Sequence, residues 1–261
     1  MRIVIFLSIL LFCQNIFANL LISPTRVNFD NRERMKEVIL INTTTKARVY
    51  RIEWGEYLAL EEGGYKEFEE PIAEVSALSP YVRMTPRQVR LGPGERQTIK
   101  LQLRKKGSMT DSEYRSHLKF IALPPEDETI PEDTSEGMKM KINMLVSYSI
   151  PVVYQPKKLH VEASVVEYSI DRRNDGGADL KLTLAKRGEQ SAYGRLEIYT
   201  KDGQRVGLAN NISIFKELDR AKTTVRIPEY AQYANQSEFV LKYIGEKEHS
   251  GTVFIDQKLR M

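Results

Sequence analysis

The chain is 261 residues long, with 39 Lys and Arg against 35 Asp and Glu and a formal charge of +4. Acids and bases in near balance describe a solvated surface and lack the basic excess of a nucleic-acid binder. The single cysteine, Cys13, falls in the leader described next, so the rest of the chain has neither thiol chemistry nor a disulfide to stabilise it.

Arg2 opens a short cationic stretch, residues 3–12 are apolar apart from Ser8, and Ile16-Phe17-Ala18 ends in a small residue. This is the layout of a secretory signal peptide, expected to span residues 1–18. Its apolar run is shorter than the roughly 20 residues of a membrane-spanning helix, so cleavage is expected rather than anchoring. The remainder suits two domains, each large enough to bury a core without disulfides. No later stretch is long and apolar enough to span a membrane, which predicts a soluble protein outside the cytoplasm.

Strand patterns then follow one another almost without interruption. Residues 20–29 alternate weakly; 37–42 form a short apolar strand; 47–54 alternate with period two, as a half-buried strand does. Residues 82–90 are broken by Pro86 and close on the turn Leu91-Gly92-Pro93-Gly94. Residues 97–103 and 115–123 are further strands, the second ended by Pro124-Pro125. The acidic stretch 126–137 reads as a solvated loop. After it, Met140, Ile142, Met144, Val146, Tyr148 and Ile150 share one face of a strand about twice the usual five to six residues long. Pro151 and Pro156 are expected to end that strand and mark the domain boundary, placed at 155/156. The second half repeats the rhythm at 160–168, 178–184, 194–199, 222–227, 238–243 and 252–257, with hairpin turns at Asn174-Asp175-Gly176-Gly177 and Lys201-Asp202-Gly203. Short, regularly spaced strands predict an all-β chain of two antiparallel sandwiches, residues 19–155 and 156–261.

No catalytic constellation is legible in the chain. His117, His160 and His249 lack metal-ligand spacing, and neither a nucleophile elbow nor a phosphate-cradling glycine loop occurs. The pairs Glu61-Glu62, Glu69-Glu70 and Asp127-Glu128 sit in charge-rich segments and read as solvated surface. His117 alternates with Leu118 and Phe120, which predicts an exposed or hydrogen-bonded sheet position. No enzyme, cofactor or metal is expected. What remains is a binding surface. The apolar face of 140–150 is in part ordinary core, but its excess length suggests that Met140, Ile142 and Met144 project beyond the core as an edge able to pair with another chain. The flexible thioether of methionine adapts to varied pockets.

At this point the chain resembles the PapD-like periplasmic pilus chaperones. The resemblance rests on Thr25-Arg26-Val27 with Phe29, on Val89-Arg90-Leu91-Gly92-Pro93-Gly94-Glu95 and the strand behind it, and on Glu113 to Leu118 leading to Leu123-Pro124-Pro125. It also rests on the exit Tyr154-Gln155-Pro156. The run from Glu113 and the ending Ile150-Pro151-Val152 look closer to the alternative, archaic-type branch. The resemblance implies two immunoglobulin-like sandwiches joined by a Pro-rich elbow, in a periplasmic protein that lends a strand to pilus subunits lacking their last one and passes them to an outer-membrane usher. Met140, Ile142, Met144 and Val146 would be the donated residues. A donor strand without a client also leaves room for self-association. The family anchors the subunit's terminal carboxylate with basic residues in the cleft between domains. Arg26 matches the first of these; the usual lysine would fall on Pro151, so Arg115 is the replacement candidate, with Lys141 behind it. Gln155 stands where a basic residue usually makes an interdomain ion pair, and the second domain lacks the cysteine pair of many relatives.

Two rivals remain. A pilus subunit would carry its alternating arm at the mature N-terminus, whereas here the strongest alternation is internal. A secreted adhesin or carbohydrate-binding module would want an exposed aromatic platform, and the only tryptophan, Trp54, lies in a strand where core packing is expected.

Overall fold

The computed structural model describes residues 19–70, 72–73, 75–104, 109–110, 112–124, 146–156, 160–233 and 235–260. Among the described residues, ten strands build the first sandwich: β1 (Leu20–Ser23), β2 (Val27–Phe29), β3 (Met35–Asn42), β4 (Arg48–Ala59), β5 (Tyr65–Phe68), β6 (Val82–Thr85), β7 (Gln88–Leu91), β8 (Arg96–Leu103), β9 (Tyr114–Ala122) and β10 (Ser147–Tyr154). One sheet runs β1-β3-β8-β6; the other runs β2-β10-β9-β4, with β5 and β7 paired to opposite ends of β4. All pairings are antiparallel except β2 with β10. Alternating residues such as Val38, Leu40, Ile99, Leu101, Leu118 and Phe120 point between the sheets and form one buried cluster.

Seven strands build the second sandwich: β11 (Val161–Arg172), β12 (Ala178–Gly188), β13 (Ala192–Thr200), β14 (Arg205–Ile214), β15 (Arg220–Ile227), β16 (Glu238–Gly245) and β17 (Val253–Arg260). Its sheets run β11-β12-β15 and β14-β13-β16-β17 around a separate core that includes Leu180, Leu196, Ile198, Phe239 and Leu241. The chain is therefore the predicted pair of immunoglobulin-like sandwiches.

The structure departs from the sequence pattern at specific places. Residues 20–29 are two strands in different sheets, because the chain crosses at Pro24 and its alternation does not record the change of partner. β4 extends to Ala59, and β5 folds back on it although its four residues, Tyr-Lys-Glu-Phe, carry little apolar signal. β14 was absent from the pattern because a bulge interrupts it. Gly194 pairs with Ile212 and Leu196 with Ala209, so Asn210 and Asn211 oppose a single residue, and Asn211 takes φ of 59°. β10 does not end at Pro151 but runs on to Tyr154. Pro151 precedes the first residue paired to β2, Val152, where β10 is still an edge on that side and a missing N–H is tolerated.

Within 140–150, Ile150 is buried and Tyr148 packs on the first core, as the alternation predicts for this end. Val146 is 39% exposed at the entrance to β10. Met140, Lys141, Ile142 and Met144 lie outside the described residues.

One glycine in the second core sets a sharp limit. A Cβ on Gly194 would lie 2.0 Å from the carbonyl oxygen of Ile244 on β16, and the neighbouring backbone offers no flexible side chain to move aside. Gly194→Ala is expected to destabilise the protein by about 1–3 kcal/mol through forced separation of β13 and β16. Urea unfolding of the variant checks this; an unchanged midpoint would mean the strands separate freely.

Candidate functional site in the interdomain cleft

The register of the β2-β10-β9-β4 sheet places the cations. On β9, Tyr114, Leu118 and Phe120 face the core, so Arg115, His117 and Lys119 lie on the outer face. Arg115 stands opposite Val153 and His117 opposite Pro151 on β10, while Arg26 immediately precedes Val27, the partner of Val152. An outer face is normally wet. Here the second sandwich and the β4–β5 hairpin cover it, leaving Arg26 5%, Arg115 3% and His117 3% exposed. The expectation of an exposed or hydrogen-bonded His117 is thus corrected: its face was read properly, but burial came from elements remote in sequence.

Arg115 donates through Nη2 to the Tyr57 carbonyl (2.9 Å) and to the Glu217 carboxylate, and its guanidinium lies 4.0 Å from the centre of the Phe215 ring. Burial pulls its pKa down, opposed by the attraction of Glu217. Arg26 donates from Nη2 to Glu248 (2.8 Å) and from Nε to Asn28 Oδ1 (3.1 Å), and lies 4.4 Å over Tyr193. Glu217 also accepts from the Ala59 N–H (3.2 Å), and Asn28 Nδ2 donates to Glu248. Arg26 and Arg115 thus each hold an acid from the second sandwich, which offsets the cost of burying their charge. Each also keeps one nitrogen, Nη1, with no hydrogen-bond partner among the described residues.

His117 packs edge-on against Tyr57 (4.7 Å between centroids) and Tyr65 (5.1 Å), and Tyr65 in turn meets Phe215 (5.8 Å). Burial, with Arg115 and Arg26 adding repulsion, drops the imidazole pKa to about 3, so the ring is neutral at ordinary pH. Tyr65 reaches this position because the hairpin tip docks on the second sandwich: the Lys222 N–H donates to the Glu61 carbonyl (2.7 Å), and Lys222 Nζ pairs with Glu62 (2.5 Å).

The hinge uses a neutral device. Gln155 Nε2 donates to Glu113 Oε2 (2.7 Å), and the same carboxylate accepts from the N–H of Ser191 (2.9 Å) and from its hydroxyl. An amide and a serine thus hold the Glu113 carboxylate between the two sandwiches.

The fold brings together both predicted cleft arginines, Arg26 and Arg115. Sequence reasoning missed Glu217, Glu248, Tyr65 and the role of His117, whose local patterns carry no sign of what lies across the cleft. Among the described residues, no group of three or more His, Cys, Asp or Glu could hold a metal ion, and no helix is long and apolar enough to cross a membrane.

Residues 19–160, just over half of the chain, match the family model for the pili and flagellar-assembly chaperone, PapD N-terminal domain. The chain belongs to this family. A search of curated protein sequences returned no match. Among solved structures, the chaperone is similar to the YadV chaperone (12% identity over 94% of this chain and 100% of that chain, TM-score 0.48). It is also similar to a chain of the CsuC–CsuE chaperone–tip adhesion subunit pre-assembly complex from the archaic Csu pili of Acinetobacter baumannii (14%, 93% and 97%, TM-score 0.47). A third is a chain of the Salmonella enterica SafA pilin in complex with the SafB chaperone (11%, 94% and 97%, TM-score 0.46).

Proposed function

We propose that this pilus-assembly chaperone works in the periplasm after removal of residues 1–18, without catalysis, as two domains divided at 155/156. It captures pilus subunits by lending the strand that carries Met140, Ile142, Met144 and Val146, and delivers them to an outer-membrane usher. The observation that carries this reading is the cleft: two buried guanidiniums, each satisfied on one side by a glutamate and each with Nη1 unpartnered among the described residues. Such a pair suits a single carboxylate, which can accept on both oxygens. A chain terminus anchored there by Arg26 and Arg115 would set the register in which the rest of the subunit meets the donor strand.

The four donor side chains would each contribute roughly 1.5–3 kcal/mol on burial, before the cost of association is deducted. The test is co-purification of the tagged protein from a periplasmic extract, with mass spectrometry of what it carries. A small secreted sandwich protein is expected in equimolar amount, and the double change Ile142→Asp, Met144→Asp should abolish its recovery while the chaperone stays folded. A protein that comes down alone, with genuine subunits expressed in the same cell, would contradict this reading and favour an adhesive module.

A further inference from the structure

The least explained group in the cleft is His117. It is 3% exposed, yet neither Nδ1 nor Nε2 has a hydrogen-bond partner among the described residues. A buried polar group left unmade costs about 1–3 kcal/mol, and folded proteins rarely retain one without a use. The sheet itself cannot satisfy it. The residues in register on either side are Pro151 on β10 and Gly55 on β4, and neither has a polar side chain. Gly55 also makes room for the rings: a Cβ there would lie 2.6 Å from Tyr57 Cε2. The rings of Tyr57 and Tyr65, each steeply inclined to the imidazole, pack against it without offering it a hydrogen bond. Arg115 lies two residues before it on the same face of β9, and Arg26 precedes the strand that joins β10 one residue beyond Pro151.

We propose that His117 is the third donor of the carboxylate anchor: its neutral ring N–H binds the terminal carboxylate of the captured chain beside Arg26 Nη1 and Arg115 Nη1. This rests on the reading of the cleft as a carboxylate site. Two guanidiniums already supply the charge, and an uncharged N–H adds direction without a third cation to desolvate. The neutral ring has one N–H to donate, so the tautomer is chosen by the ligand. His117 is then a specificity-determining residue. It favours a chain that ends in a free carboxylate over one whose end is amidated, because an amide cannot accept on both sides.

The test uses an acetylated alanine tetrapeptide with a free carboxylate, its C-terminal amide as control, and the full mature chaperone. Titration is followed by the imidazole nitrogen resonances of His117 in a long-range nitrogen–proton correlation spectrum. The carboxylate peptide is expected to move the His117 N–H signal and the amide to leave it in place. His117→Phe should weaken carboxylate binding about tenfold or more, the loss of a hydrogen bond to a charged group, and His117→Asn, which restores a donor, should recover part of it. If the carboxylate peptide binds and is lost in Arg26→Ala, but the His117 resonances stay still and His117→Phe binds as well as the native protein, the role of His117 is refuted while the anchor stands. If the native protein does not distinguish carboxylate from amide, the anchor and the proposal fall together.

Discussion

Arg115→Ala is expected to abolish recovery of bound subunit and to destabilise the free chaperone by about 3–5 kcal/mol. The second effect follows from what the change leaves behind. Glu217 has 6% of its side chain exposed, and the guanidinium is its charged partner across the cleft. Deleting one member of a buried pair strands the other charge where water cannot reach it. The Tyr57 carbonyl loses a donor as well, and the Phe215 ring loses its stacked cation. Stability and capture can be separated with the double variant Arg115→Met, Glu217→Gln, which removes both charges and keeps the volume. That variant should regain most of the lost stability, measured by urea unfolding, yet still fail to bring down subunit. If it captured subunit normally, Arg115 would be part of the interdomain contact alone. Arg26→Ala is expected to lose capture with a smaller effect on stability, since Glu248 is 13% exposed and keeps a hydrogen bond from Asn28.

The second large effect is in acid. The folded-state pKa of His117 is depressed to about 3, against an ordinary value near 6.5. Between those values the unfolded chain takes up a proton that the folded chain refuses, so stability rises with pH across that window. The contribution is complete above about pH 6.5 and is lost progressively as the pH falls towards about 3, by roughly 4 kcal/mol at the acid end. His117→Phe has no proton to take up in either state. Its unfolding free energy should therefore fall less steeply than that of the native protein between pH 6.5 and the acid limit. Burial raises the pKa of Glu56, which acts in the opposite sense, but that group is common to both proteins and cancels in the comparison. Parallel curves would show that the imidazole is reached by water or a proton acceptor in solution.

Much of this molecule was legible in one dimension. The strands at 37–42, 97–103 and 115–123 appear where apolar residues alternate, because the pleat sends every second side chain into the space between two sheets and that pattern is local. The same alternation put Arg115 and His117 on the outer face of β9, and the flanking motif singled out Arg26. The pattern failed where local signal was interrupted: at the sheet switch at Pro24, at the bulge opposite Arg195, and at the short polar strand β5.

Local pattern thus reveals the two sandwiches and, where a strand alternates without interruption, the side that enters a core, while short flanking motifs carry the family resemblance. What covers the opposite side depends on packing between segments far apart in the chain. Arg115 and His117 are buried because Phe215 and Glu217 arrive from a second sandwich about a hundred residues away in the chain and Tyr65 from a hairpin that docks on it. Burial of that kind depends on the angle at which the two cores meet, held here by Gln155, Glu113 and Ser191. No alternation of residues along one strand encodes it, because the desolvation in the cleft comes from surfaces that are neighbours only in the folded chain.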